Sequence, residues 1–224
     1  MKTNKWAVRG LVAAASALVM GSACAAPVTW TDWTSISGGG ASGTMGGVGV
    51  TVVVTSGAIN GTSQTACGTN FWTGSAYTNG TVSNAPTACE QVGLNSAVGI
   101  TVTFSSAVDT LYMGLLSIGQ GGLPITYDFS TAFTVDSEGQ GFFGNDVTNG
   151  VLGAGVLGGG SLTMREFHGV VRFDNPVTSF QFTTSPDENW HAFTFGTVPE
   201  PGSLALVATA LFAAGGLARR KQVR

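Results

Sequence analysis

Lysine is absent between residues 27 and 198 of this 224-residue chain, and arginine is nearly so. Seven of the nine basic residues lie in the terminal segments: Lys2, Lys5, Arg9, Arg219, Arg220, Lys221 and Arg224. The central region keeps two arginines against eleven acidic residues, a formal charge of −9. This balance excludes a nucleic-acid partner, because phosphate binding needs clustered Lys and Arg. Without lysine the region has no Schiff base, no Lys–Asn isopeptide bond and no phosphate-loop lysine.

Cysteine is also scarce. The chain has three cysteines, and only Cys67 and Cys89 lie outside the N-terminal segment. We predict one disulfide between them, since this is the simplest state of two cysteines in an exported chain. The bond would join the two ends of an irregular segment and close a loop of about 22 residues. It would contribute roughly 3 kcal/mol to the stability of the fold. A metal centre is the alternative, but two thiolates and two distant histidines supply a poor zinc site.

Helical periodicity is missing, whereas period-two alternation recurs. No window has the spacing of an amphipathic helix, and the 34 glycines favour turns. Alternating apolar side chains predict strands at residues 48–55, 100–104, 111–118, 125–129, 132–135, 167–173, 177–184 and 190–195. The glycine-rich stretches 38–47 and 153–160 are predicted as turns or loops, because neither opens a phosphate-binding helix. Residues 27–197 are therefore predicted to form an all-β domain, an antiparallel β-sandwich that is either jelly-roll-like or immunoglobulin-like.

Residues 1–26 have the three regions of a secretory signal peptide. Basic residues precede an apolar stretch, and Ala23-Cys24-Ala25 follows as a small-residue cleavage site. Cleavage just after this site leaves a mature chain that begins near Pro27. Cys24 suggests a lipoprotein as the alternative, but Gly21 stands three residues ahead of it where leucine is expected.

The last 27 residues, 198–224, form a second targeting segment in three parts. The first part is extended, because its prolines exclude a regular helix; it consists of Val198, Pro199, Glu200 and Pro201. Residues 203–218 are uncharged and apolar, and as a helix they would span about 24 Å, which predicts a short membrane-spanning helix. The positive-inside rule keeps the basic end of the chain in the cytoplasm; that end contains Arg219, Arg220, Lys221 and Arg224.

This order of parts resembles the PEP-CTERM sorting signal of Gram-negative bacteria. The resemblance implies recognition by an exosortase, a membrane-embedded cysteine transpeptidase, near Pro199-Glu200-Pro201. It implies export through the inner membrane, transient anchoring there through residues 203–218, and delivery to the cell surface or medium. Proteins with this tail are typically associated with extracellular polysaccharide or biofilm matrix. Residues 169–196 also resemble the closing strands of many PEP-CTERM ectodomains, which implies the end of a sandwich and no activity.

Four residues are the candidates for ligand binding: Trp72, Glu188, Trp190 and His191. The carboxylate would bind sugar hydroxyls or a cation, and the indole rings would stack on a ligand. The alternative is a hairpin loop whose Trp190 packs onto the core. A second set, Glu166, His168 and Arg172, shares a strand face with Val170. This set indicates either a small hydrolytic site or a solvated outer face with cross-strand ion pairs.

The function hypotheses follow from these motifs. The first is a non-enzymatic exported protein that an exosortase processes and that is associated with polysaccharide. A carbohydrate-binding module that uses Trp72 or Trp190 is the alternative. A glycoside hydrolase comes third; it would need two carboxylates about 5–9 Å apart, drawn from Glu138, Glu166 and Glu188. We predict no catalytic residues, no metal site and no cofactor. Calcium is the one ion that the loop oxygens would suit: Asp136, Glu138, Asn145, Asp146 and Asn149.

Overall fold

The structure, a computed structural model, describes residues 27–144 and 150–198, which form an all-β fold. The predicted signal peptide and the predicted membrane-spanning helix lie outside these residues. Within the described ranges the one helical element is a 3-10 turn at Ser75–Tyr77. The strands are β1 (Thr29–Trp30), β2 (Asp32–Ser37), β3 (Gly40–Met45), β4 (Val48–Ser56), β5 (Val92–Leu94), β6 (Gly99–Val108), β7 (Leu111–Ile118), β8 (Ile125–Phe129), β9 (Thr134–Glu138), β10 (Val151–Gly153), β11 (Gly160–Met164), β12 (Phe167–Phe173), β13 (Val177–Ser185) and β14 (His191–Thr197).

The strands form two antiparallel sheets. The six-stranded sheet has the order β1-β14-β7-β12-β9, and β5 also pairs with β14. The eight-stranded sheet has the order β10-β11-β8-β13-β6-β4-β3-β2. This arrangement agrees with the predicted antiparallel β-sandwich.

Period-two alternation located most of these strands. Strands β7, β8 and β12 have the predicted bounds, and β4 and β13 continue one residue beyond them. Strand β9 begins two residues later than predicted, and β6 continues four residues further. The prediction that residues 153–160 form a turn is confirmed, since they connect β10 to β11. The short strands β1, β2 and β5 have no clear alternation and were not predicted.

The prediction of a loop over residues 38–47 is wrong, because this stretch contains β3. Strand β3 pairs with β2 on one side and β4 on the other. Its glycines allow close approach of these neighbours. A Cβ on Gly40 would lie 2.2 Å from the carbonyl oxygen of Val52, and one on Gly43 would lie 2.3 Å from that of Asp32. These glycines therefore allow a strand to form between two close neighbours, whereas the glycine-rich composition alone favours a turn.

The main hydrophobic core lies between the two sheets. Full burial of one large apolar side chain contributes about 1.5–3 kcal/mol, so these residues dominate the stability of the sandwich. Trp33 is among them, and its ring N–H donates a hydrogen bond to Thr194 Oγ1 at 3.2 Å. The other large side chains without exposed surface include Met45, Leu94, Tyr127, Phe129, Phe167, Phe173, Phe182, Phe193 and Phe195.

A covering segment, residues 68–88, packs on the other face of the six-stranded sheet. Its buried side chains form a second hydrophobic cluster with residues of β7, β12 and β14; the cluster includes Trp72, Ala76, Tyr77, Val82, Tyr112, Leu116, Val170 and Ala192. A disulfide between Cys67 and Cys89 joins the two ends of the segment, as predicted. The excursion is thus a third layer of the fold, and β7 and β14 are buried on both faces.

The outer face of the eight-stranded sheet is open to solvent. Buried and exposed positions alternate along much of β4, β6 and β13. The outward positions are mostly Thr and Ser, and Thr103 of β6 lies between Thr51 of β4 and Ser179 of β13. These three strands contain no charged residue. The outer face of the six-stranded sheet is therefore covered by residues 68–88, whereas the outer face of the eight-stranded sheet is exposed and carries mostly hydroxyl groups.

Candidate functional site

Strand β14 connects two ends of the sandwich that carry different features. At its beginning, His191 lies opposite Leu94 of β5. At its end, Thr197 lies opposite both Leu111 of β7 and Thr29 of β1. The distance from His191 to Thr197 is about 20 Å in an extended strand. We call the first the patch end and the second the terminal end.

An aromatic patch of four rings lies at the patch end. Phe71 comes from the covering segment, Phe142 and Phe143 from the loop after β9, and Trp190 directly precedes β14. The ring centroid of Phe71 is 5.1 Å from Phe142, 5.6 Å from Phe143 and 5.4 Å from Trp190. Phe142 and Phe143 are nevertheless 48% and 47% exposed. Adjacent exposed aromatic rings of this kind mark a contact surface, because water contact with them is unfavourable.

Only one member of the patch was predicted from the sequence. Trp190 was a candidate, and it is half-buried against the other rings. Phe71, Phe142 and Phe143 were missed, since they lie in glycine- and polar-rich loops without periodicity. The one available signal was the Phe142–Phe143 pair itself, flanked by glycines in a polar stretch.

The predicted ligand pair Glu188 and His191 lies on either side of Trp190 in the sequence and is closed to solvent. Glu188 Oε2 is 2.9 Å from His191 Nδ1 and accepts a hydrogen bond from the Gly119 backbone N–H at 2.9 Å. Both side chains are buried, and the His191 ring lies 5.8 Å from that of Tyr127. Burial raises the pKa of Tyr127, and the nearby charge of Glu188 raises it further. The prediction that these two residues face a ligand is therefore wrong; they form an internal polar contact.

Two members of the second candidate set, Glu166 and His168, lie in a polar network at the same end. Ser117 Oγ donates to Glu166 Oε1 at 2.7 Å, and His168 Nε2 lies 3.3 Å from the same oxygen. His168 Nδ1 and the Tyr77 hydroxyl are 3.0 Å apart. Burial raises the pKa of Tyr77, and the charge of Glu166 adds to this. The carboxylate stands between the serine and the histidine, so the order is not that of a Ser–His–acid triad.

Backbone strain accompanies this network. Ser117 and Glu166 have φ angles of 54° and 47°, the left-handed region that non-glycine residues rarely adopt. Glu166 is not part of β12, and its side chain retains 23% exposure. Such strain concentrates at functional sites. Of this network, Glu166 is the residue that is not fully buried.

Three other predicted sites have different outcomes. Trp72 is buried in the second cluster, so the prediction that its ring stacks on a ligand is wrong. The predicted solvated face of β12 is also wrong for His168 and Val170, which lie beneath the covering segment. The predicted ion pairing does hold for Arg172, which contacts Asp136 at 3.3 Å and Asp174 at 2.6 Å.

The calcium hypothesis stays a prediction. The Asp136 carboxylate already accepts hydrogen bonds from the backbone N–H of Thr81 at 2.9 Å and from its hydroxyl at 2.6 Å. Three of the other proposed ligands lie at residues 145–149, outside the described ranges. Over residues 27–144 and 150–198, no group of three or more His, Cys, Asp or Glu side chains is arranged to hold a metal ion.

The terminal end brings the two ends of the described chain together. Thr29 pairs with Thr197, and Asn84 holds the preceding residue in place: the Val28 N–H donates to Asn84 Oδ1 at 2.6 Å, and Asn84 Nδ2 donates to the Val28 carbonyl at 2.9 Å. Val28 and Val198 contact the same second cluster. The fold therefore begins and ends within a few residues of both predicted processing sites.

Residues 197–221 match a family model described as the PEP-CTERM protein-sorting motif. The chain carries a PEP-CTERM sorting motif. The suspected resemblance over residues 198–224 is thereby confirmed, and the matched region begins at the last residue of β14. The motif implies an exported surface protein that is directed to an exosortase. The match covers 25 residues at the C-terminus and does not extend to the sandwich.

The PEP-CTERM motif lies almost entirely outside the described residues. Val198 is described and half-buried, whereas Pro199, Glu200, Pro201, Arg219, Arg220 and Lys221 are not. In the part of the chain that the structure describes, no helix is long and apolar enough to cross a membrane. The search of curated proteins found no match, and the search of solved structures found none either.

Proposed function

We propose that this protein is a non-enzymatic surface protein that binds extracellular polysaccharide of a biofilm matrix through its aromatic patch. An exosortase processes it near Pro199-Glu200-Pro201 during export from a Gram-negative cell. The patch is the observation that carries the binding proposal. It is exposed, it lies about 20 Å along β14 from the sorting motif, and a membrane anchor at the motif leaves it accessible.

The chemistry of the patch suits a sugar. Aromatic rings stack on the apolar C–H faces of pyranose rings, and water leaves both surfaces on contact. Phe142 and Phe143 offer this ring surface, and the Trp190 ring packs against that of Phe143. The Glu166 carboxylate at the same end is a hydrogen-bond acceptor for sugar hydroxyls. A shallow surface of this type binds one face of a polymer rather than enclosing a small molecule.

The state of the carboxylates supports a binding role over a hydrolytic one. A glycosidase needs a free acid and a second carboxylate across the scissile bond. Glu188 is enclosed, with its carboxylate held by Gly119 and His191. Glu166 is partly committed to Ser117 and His168.

Affinity electrophoresis of the mature protein in gels that contain matrix polysaccharide tests this function. We expect the unaltered protein to be retarded, and Phe142→Ser and Trp190→Ala to restore free mobility. Val53→Ser removes an equally exposed apolar side chain from the open sheet face and serves as the matched control. Phe142 is half exposed, so its variant retains the fold even if Trp190→Ala does not. Retardation of Phe142→Ser equal to that of the unaltered protein contradicts the proposal.

A further inference from the structure

Two shallow grooves that share two lining residues, here together called the trough, lie between strand β2 and Phe71 of the aromatic patch. The first has a volume of about 420 Å³ and is lined by residues 62–66, Gly68, Thr69 and Phe71. The second has a volume of about 540 Å³ and extends to β2, where residues 34–38 form one wall. Ser63 and Thr65 line both grooves. The trough therefore runs from the edge strand β2 to Phe71.

The trough is continuous with the aromatic patch. Phe71 lines its near end, and the same ring lies 5.4 Å from Trp190 within the patch. A ligand that stacks on Phe71 would therefore contact both the patch and the near end of the trough. The combined volume exceeds what a single sugar needs and suits a chain of several linked residues.

The lining of the trough has no charge. Hydroxyl groups dominate it, together with two isoleucines and the Phe71 ring; the hydroxyl residues are Thr34, Ser35, Ser37, Thr62, Ser63, Thr65 and Thr69. Ser35, Thr62 and Thr65 are exposed, and each hydroxyl can donate and accept. This surface matches a polymer that presents many hydroxyls and no charges. The formal charge of −9 on residues 27–198 also works against an anionic polymer.

The trough is held in shape by the fold. The Gln64 N–H donates to the Gln91 carbonyl at 2.9 Å, and its side-chain Nε2 donates to the Thr69 carbonyl at 3.2 Å. Ser63 Oγ accepts a hydrogen bond from the Gly93 N–H at 2.9 Å. The Cys67–Cys89 disulfide fixes the same segment. A site that is already ordered loses less conformational entropy when it binds.

We propose that this trough is an extended binding site for an uncharged linear polysaccharide, one end of which stacks on the aromatic patch. The proposal rests on the proposed function and adds the ligand class and the path of the chain. It assigns hydrogen bonding to the hydroxyls of Ser35, Thr62 and Thr65, which are distinct from the patch. Affinity then rises with chain length until the trough is filled.

The test introduces charge into the trough and leaves the patch unchanged. The probes are a soluble neutral β-glucan, a neutral galactomannan and the anionic polymer alginate, each measured by affinity electrophoresis of the full mature protein. We expect the combined variant Ser35→Glu/Thr65→Glu to bind the neutral polymers at least about tenfold more weakly, because desolvated, unpaired carboxylates oppose binding. Thr51→Glu/Thr103→Glu, on the open face of the eight-stranded sheet, adds the same charge and should bind like the unaltered protein.

The outcomes separate this inference from the function on which it rests. Unchanged neutral-polymer binding by Ser35→Glu/Thr65→Glu, together with loss in Phe142→Ser, overturns the trough and leaves the patch standing. Tighter binding of alginate than of either neutral polymer overturns the ligand class. If none of the three polymers retards the unaltered protein, both proposals are contradicted. Equal loss in the trough variant and the open-face control assigns the effect to net charge and also overturns the trough.

Discussion

The outer faces of the two sheets differ in their exposure to water. The six-stranded sheet is covered on its outer face by residues 68–88, and β7 is buried at every position. The eight-stranded sheet leaves its outer face open, and exposed residues recur along β4. The difference shows that the disulfide-closed segment belongs to the architecture. Without it, a sheet whose outer face carries Tyr112, Leu116 and Val170 would present a large apolar surface to water.

The largest effect is expected when the largest ring of the covering segment, that of Trp72, is removed. Trp72→Ala should reduce the free energy of unfolding by about 3–5 kcal/mol, because it leaves a cavity over the six-stranded sheet. Val53→Ala, on the open face, should change it by no more than about 0.5 kcal/mol. Urea unfolding of the mature protein measures both. Equal, small losses would mean that the cover contributes little to the fold.

Removal of the Cys67–Cys89 disulfide should have the next largest effect. Replacing Cys67 and Cys89 by alanine should cost about 3 kcal/mol for a closed loop of this length. The loosened cover should also increase amide hydrogen exchange in β7 and β14, while exchange in β4 and β6 changes only as much as global stability does. A uniform increase across both sheets would show that the disulfide stabilises the whole domain and not the cover in particular.

The sequence revealed one side of this comparison better than the other. Alternation such as Val48, Val50, Val52 and Val54 predicts a half-exposed strand, and the eight-stranded sheet contains such strands. The same pattern predicted the bounds of β7, but it gave no sign that both faces of this strand are buried. Nothing in the polar composition of residues 68–88 indicates a packed layer, since its few aromatic residues have no period.

The candidate site was predicted poorly for a related reason. Glu188, Trp190 and His191 follow one another along the chain, yet Trp190 faces the patch while the other two face the interior. Side-chain direction at a strand entry depends on the register with β5 and β7, which is a long-range property. The patch itself joins residues that are more than a hundred positions apart, from Phe71 to Trp190. The sorting motif, in contrast, is local in sequence and was found completely.

The smallest effects are expected at two buried tyrosines, one on each side of the six-stranded sheet. Tyr77 belongs to the cover and Tyr127 to the core between the sheets. Tyr77→Phe should cost about 1 kcal/mol at neutral pH, since it loses the contact with His168. Tyr127→Phe should cost almost nothing, because the Tyr127 hydroxyl has no hydrogen-bond partner within the described residues.

Alkaline pH should reveal the same two groups. Burial raises the pKa of both tyrosines, so the folded protein keeps their protons at a pH where the unfolded chain loses them. Their contribution to stability is complete below the ordinary tyrosine pKa of about 10 and is lost as pH rises above it. Each Phe variant should therefore show a shallower alkaline loss of stability in urea titrations. An unchanged slope in both variants would refute this account.

Strand β14 has a mechanical consequence because it lies between the patch and the sorting motif. Trp190 directly precedes it and Val198 directly follows it. It is paired along one edge with β7 and along the other with β5 and β1. A pull between a ligand on the patch and a group attached after Val198 is directed along this strand. Ladder hydrogen bonds lie perpendicular to the strand, so such tension shears many of them at once instead of opening them one by one.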